Sequence, residues 1–182
     1  MNFKQIPFLT FLLSTLFVNT QYAMADDRII DFEASRDAQS ITILIKEDWH
    51  KLFAFQDFNQ PIVNKMLYRN RPGDFTQQDK QLHIKVLYDN TSLAGFITYY
   101  LASKTIAFIE LLVIDKRFRS RGYGKELIEY VAQEVATCGA KELDLYVFAS
   151  NPRAIEIYQH LGFAIKHTFQ GYLLMGKSIA SQ

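Results

Sequence analysis

Two segments constrain this chain more than any others: RSRGYG at 119–124 and, 27 residues further on, NPRAIEIYQHLGF at 151–163. The first follows an apolar run and opens a helical pattern. Its glycines, Gly122 and Gly124, lack a Cβ, so backbone N–H groups there can approach an anion closely. The N-terminus of the helix adds about half a positive charge, and Arg119, Arg121 and Lys125 add full ones. Together these make a cradle suited to a pyrophosphate. Two better-known phosphate loops do not fit. A dinucleotide fingerprint needs a third glycine where Leu127 stands, although Asp144 does fall 20 residues after Gly124. A P-loop needs Gly-Lys-Ser/Thr, and the chain reads Gly124-Lys125-Glu126. Read from these residues alone, a tight turn with a solvated basic rim remains an alternative.

The second segment is a well-marked helix. Asn151 suits the N-cap, Pro152 the first turn and Gly162 the C-terminal cap. Ala154, Ile157, Tyr158 and Leu161 share one face.

Around these segments the hydrophobic periodicity predicts a strand at 28–33 and a helix at 35–55 carrying Ile41, Leu44, Ile45, Trp49, Leu52 and Phe53. It then predicts a short helix at 60–68, with Pro61 in its first turn, and a loop at 70–74. Strands at 82–88 and 93–101 flank a hairpin turn at 89–92. Residues 105–114 are almost entirely apolar, as expected of a central strand buried on both faces. A helix at 123–138 ends at Gly139, a strand covers 143–148, and two strands at 163–169 and 172–177 close the chain. The order β-αα-βββ-α-β-α-ββ implies an α/β fold, a mixed central sheet flanked by helices.

The composition, 49% hydrophobic and 21% charged over 182 residues, fits one globular domain, and with a net charge of +1 no basic excess argues for nucleic acid as the main partner. The single Cys138 rules out an internal disulfide. Residues 1–25 stand apart. Lys4, an apolar stretch from Ile6 to Val18 and Ala23-Met24-Ala25 have the parts of a secretory signal. The apolar stretch, about 13 residues, is short for a membrane span of roughly 20. The expectation is a signal peptide at 1–25 and a domain at 26–182, exported to the periplasm or medium. The alternative is a retained anchor, with membrane contact only through it and the domain on the cytoplasmic side.

The two segments resemble the GCN5-related N-acetyltransferase (GNAT) superfamily. Its first signature, Gln/Arg-x-x-Gly-x-Gly/Ala, matches Arg119, Gly122 and Gly124. Its second, Asn-x-x-Ala-x-x-x-Tyr-x-x-x-Gly-Phe, matches Asn151, Ala154, Tyr158, Gly162 and Phe163. The element order also agrees, so the resemblance spans roughly 28–177. It implies an N-acetyltransferase that moves an acetyl group from acetyl-CoA to a primary amine of a small molecule or protein by direct attack, without a metal. The other function implied is an acyl-CoA-binding or inactive interaction module of the same fold. Backbone groups of Leu112, Val113 and Ile114 are then expected to hold the pantetheine arm. The amides of Arg119, Ser120, Arg121, Gly122, Tyr123, Gly124 and Lys125 are expected on the pyrophosphate, and Asn151 near the arm.

Such a transfer needs a neutral amine, an oxyanion donor and a proton for the leaving thiolate. The resemblance assigns that proton to Tyr158. For the base, Glu110 is the one charged residue between Thr105 and Ile114. Strand alternation is expected to place it beside Leu112 and Ile114, where desolvation would raise its pKa. Asp144 and a water are the alternatives. The resemblance departs from the ribosomal-protein alanine acetyltransferases, which tend to carry a Glu where Tyr146 stands here. His50, His83, His160 and His167 lack metal-ligand spacing, and no acidic cluster marks a polyamine or aminoglycoside acceptor.

Overall fold

The computed structural model describes residues 28–53, 57–68 and 81–179. The leader expected at 1–25 and the loop expected at 70–74 lie outside the described residues. The elements are β1 (Ile29–Asp31), α1 (Ala34–Glu47), α2 (Trp49–Leu52), α3 (Gln60–Leu67), β2 (His83–Asp89), β3 (Ser92–Leu101) and β4 (Ile106–Ile114). A 3₁₀ turn (Lys116–Phe118) follows, then α4 (Tyr123–Thr137), β5 (Glu142–Phe148), α5 (Pro152–His160), β6 (Ala164–Phe169) and β7 (Tyr172–Ser178). The helix expected over 35–55 is broken at Asp48, which ends α1 and precedes the single turn of α2.

Local chemistry sets the element ends. The Asn59 side chain accepts the Ile62 amide and caps α3, and the Asn151 side chain accepts the Ala154 amide at 3.2 Å and caps α5. Gly139 (φ 92°) closes α4 in the left-handed region, where a side chain would be strained.

One seven-stranded sheet runs β1-β2-β3-β4-β5-β7-β6, with β4 at its centre as the sequence predicts. Only β4 and β5 pair in parallel; the final hairpin inserts β7 between β5 and β6. The sheet separates two cores. On one face Ile109, Leu143, Leu145, Val147 and Met175 pack with Leu127, Ile128, Val131 and Val135 of α4. On the other, Phe96, Leu111 and Val113 pack with Ile41, Ile45, Trp49 and Val63 from α1, α2 and α3.

A buried carboxylate ties α1 to the sheet. Asp37 accepts the Tyr88 hydroxyl at 2.6 Å, the Glu33 amide at 2.8 Å and the Arg36 guanidinium at 2.7 Å. Burial opposes its ionisation, but these bonds outweigh burial and hold its pKa below the usual carboxylate value.

Candidate active site

The site begins where the parallel ladder fails. β4 and β5 pair only from Ile106–Glu142 to Ile109–Leu145, while β4 runs on to Ile114. Past Leu145, β5 pairs only with β7. The edge of β4 that faces β5 therefore opens over its last residues. A β-bulge coincides with this point: on β3, Thr98 pairs with Leu111 and Tyr99 with Ile109, leaving Glu110 extra. The buried Thr98 hydroxyl accepts the Leu111 amide at 3.0 Å and mends the interrupted ladder.

The bulge interrupts the alternation on which the expectation for Glu110 rests. Ala107 and Ile109 belong to the α4-side core, and so do Leu112 and Ile114, whereas Leu111 and Val113 face α1 and α3. Simple alternation breaks between 109 and 112. Counted from Phe108, Glu110 falls on the α1–α3 face; counted back from Leu112, it falls on the α4 face, so period-two alternation does not carry through the bulge. It is exposed. Asp144, the alternative base, is buried and bonded to Lys166 Nζ at 2.9 and 3.1 Å.

The three strand residues expected to hold a pantetheine arm are not equivalent. The Asp115 amide donates to Ala94 of β3, and the Leu111 amide also points that way. By alternation Val113 is directed at β3, while Leu112 and Ile114 are directed at the gap. The Ile114 carbonyl is already engaged by Arg119 Nε at 2.9 Å. Leu112 therefore presents both an N–H and a C=O to the gap.

Beyond β4 the loop turns through Ser120 (φ 63°) and Gly122 (φ 87°), the N-cap of α4. The Glu126 amide is the first of α4 to bond back into the helix, to Gly122. Among the described residues the amides from Arg119 to Lys125 have no backbone acceptor, leaving a run of donors at a helix N-terminus. This is the donor set that a pyrophosphate requires. A Cβ on Gly124 would sit 3.8 Å from Ile114 and 3.9 Å from Leu112, so the helix start lies against the opened strand.

The basic side chains do not point where the sequence suggested. Arg119 bridges the Ile114 carbonyl and the Asp48 carboxylate, latching the loop to the α1–α2 junction. Arg121 lies 3.2 Å from Asp89, which also accepts the Tyr123 hydroxyl at 3.0 Å. Lys125 pairs with Glu129 at 3.7 Å. The cradle is thus made of amides, and Asp48 and Asp89 brace it. Neither acid carries a sequence signal, because each acts on a residue distant in the chain.

Tyr158 of α5 packs on the α4-side core, as do Leu112, Ile114 and Tyr123, so the two motifs meet at the rim of one cluster. Its ring stands edge-on to Phe163 at 5.7 Å. The ring is half-buried, and desolvation pushes the hydroxyl's pKa up to about 12. No hydrogen bond joins that hydroxyl to another described residue. It is a protonated donor with its hydrogen uncommitted. The Asn151 side-chain oxygen is used by the cap of α5.

A model of the acetyltransferase (GNAT) family matches residues 39–163. The chain belongs to this family. It is 34% identical over 87 residues to the [ribosomal protein bS18]-alanine N-acetyltransferase of Salmonella typhimurium, covering 48% of this chain and 57% of the relative. It is 36% identical over 76 residues to an uncharacterized N-acetyltransferase of Methanocaldococcus jannaschii, covering 42% and 34%. The chain thus spans about half, or less, of these curated relatives. In fold it is similar to the spermidine N-acetyltransferase from Vibrio cholerae in complex with CoA and spermine, with a TM-score of 0.63 and 17% identity over 83% of this chain and 94% of that one.

Proposed function

We propose that this protein transfers an acetyl group from acetyl-CoA to a primary amine. The observation that carries this reading is the gap between β4 and β5, flanked by a run of uncommitted amides at the start of α4. The amides from Arg119 to Lys125 hold the pyrophosphate, and Leu112 binds the pantetheine arm in the manner of an added strand. The neutral amine nitrogen attacks the thioester carbonyl. A C–N bond forms, and a strand-end amide supports the oxyanion. The C–S bond then breaks as Tyr158 gives its proton to the departing thiolate. The surplus proton on nitrogen leaves to Glu110 or to water, and the exposure of Glu110 supports exchange with solvent.

Family membership and the CoA found in the Vibrio cholerae relative support the choice of donor. Titration of acetyl-CoA into the full chain tests it. The expected result is a Kd on the order of micromolar that weakens in Gly122→Glu, together with thiol release that depends on an added primary amine. Tight acetyl-CoA binding without amine-dependent thiol release across a broad amine panel would make the protein an acyl-CoA-binding module.

A further inference from the structure

Helices α1, α2 and α3 roof only part of the sheet. The core beneath them draws on β2, β3 and β4 and, among the described residues, includes none from β5, β6 or β7. The strand register identifies what these last strands present on that open face. Leu143, Leu145, Val147 and Met175 face α4, so Asp144, Tyr146, Phe148 and Tyr172 face the other way. On β6 a bulge at Lys166, between Ile165 and His167, brings His167 and Phe169 to the same face.

The open face is aromatic and continuous with the gap. Phe108 of β4 lies 5.1 Å from Tyr146, the first residue of β5 beyond the last paired rung. Tyr146 stands edge-on to Phe169 at 5.9 Å, and Phe148 lies 4.6 Å from Tyr172. Tyr146 is 53% and Phe169 45% exposed, high values for rings held in such a chain. With Tyr172 they line a depression of about 300 Å³, at the lower end for small-molecule sites.

The charges nearby are already matched. Lys166 reaches across Gly176 to both Glu142 and Asp144. A Cβ on Gly176 would collide with that ion pair, so glycine keeps the crossing open. A polycation would find these two carboxylates occupied, whereas an uncharged ring would find aromatic walls.

We propose that this groove receives a flat aromatic or bulky apolar group carried by the amine acceptor, making small aromatic primary amines the substrate class. The proposal rests on the acetyl-transfer reading for its chemistry but not for its binding test. Aromatic pairing with Tyr146 and Phe169 orients the body of the acceptor, and its amine extends past Phe108 toward the gap.

The probe is N-acetyl-2-phenylethylamine, an uncharged product of the expected class, titrated into the full chain in the presence of CoA. Saturable binding is expected, weakened about tenfold or more in Phe169→Ala and in Tyr146→Ala, since an aromatic pair contributes on the order of the energy of a tenfold change. Acetyl-CoA affinity and the circular dichroism spectrum should be unchanged in both variants. No binding of the probe, or equal binding by wild type and both variants, overturns the proposal. In turnover, 2-phenylethylamine should surpass spermidine and kanamycin in kcat/KM, with the variants raising KM far more than they lower kcat. Preference for spermidine or kanamycin also overturns it. If the probe binds and depends on both rings while no amine is acetylated, the acetyl-transfer reading fails and the groove assignment stands.

Discussion

Between Arg119 and Lys125 the backbone is the working part. Ser120 and Gly122 take positive φ, the amides are left uncommitted, and the side chains turn away to Asp48, Asp89 and Glu129. Across β5, β7 and β6 the roles reverse. The backbone is an antiparallel ladder with a single bulge at Lys166, and the character of the face comes from Tyr146, Phe169 and Tyr172. An amide cradle serves an anion that never varies, so it is built from groups that every residue carries. A face built of side chains can change its partner by changing a ring. On the proposed function, donor recognition falls to the backbone and acceptor choice to side chains.

Substitutions sharpen or break this contrast. The largest effect is expected at Tyr158, the proton donor of the proposed reaction. Tyr158→Phe should lower kcat by about 10²- to 10⁴-fold with no change in acetyl-CoA affinity. A parallel loss of affinity would make the ring structural. The pH profile adds a second readout. With the pKa raised to about 12, the phenol keeps its proton below that value, so an alkaline fall in rate near pH 9 belongs to another group.

Gly122→Glu comes next. It forces a side chain into a left-handed conformation and sets a carboxylate beside the cradle, and acetyl-CoA should bind about 100-fold more weakly. Gly122→Ala carries only the backbone part of that cost, roughly fivefold. Calorimetry on the two variants separates strain from charge.

Arg119→Ala tests whether the loop's cations act on the ligand or on the fold. The side chain latches Ile114 to Asp48, so the expected result is a stability loss of about 1–2 kcal/mol in denaturant melts with a small change in acetyl-CoA affinity. A large affinity loss at constant stability would return Arg119 to the pyrophosphate. The smallest effect is expected at Glu110. Because it is exposed, Glu110→Gln should lower kcat/KM by less than about tenfold. A larger loss, with an acid limb that shifts with pH, would restore it as the base.

Much of this was legible in the chain because it is local. Gly122 and Gly124 before a helical pattern, Asn151 and Pro152 at a helix start, and the apolar run of β4 all act within a few residues of themselves. Their consequences, a turn, a cap and a central strand, follow from backbone geometry and hydrophobic periodicity. The resemblance to the acetyltransferase family rests on the same local signals, and the family match agrees with it.

The rest was settled by contacts across the chain. One extra residue at Glu110 reverses the alternation that period-two reasoning assumes, and only the register with Thr98 and Tyr99 reveals it. The direction of Arg119 depends on Asp48, 71 residues away. The insertion of β7 beside β5 brings Tyr172 near Tyr146 and Phe169, though nothing in those three residues signals a common groove. By itself the sequence determined most of the elements, the glycine turn into α4 and the family, because these depend on neighbours in the chain. The tertiary structure decided which groups remain free to bind, because a hydrogen bond or an ion pair is committed by whichever partner the fold brings within reach.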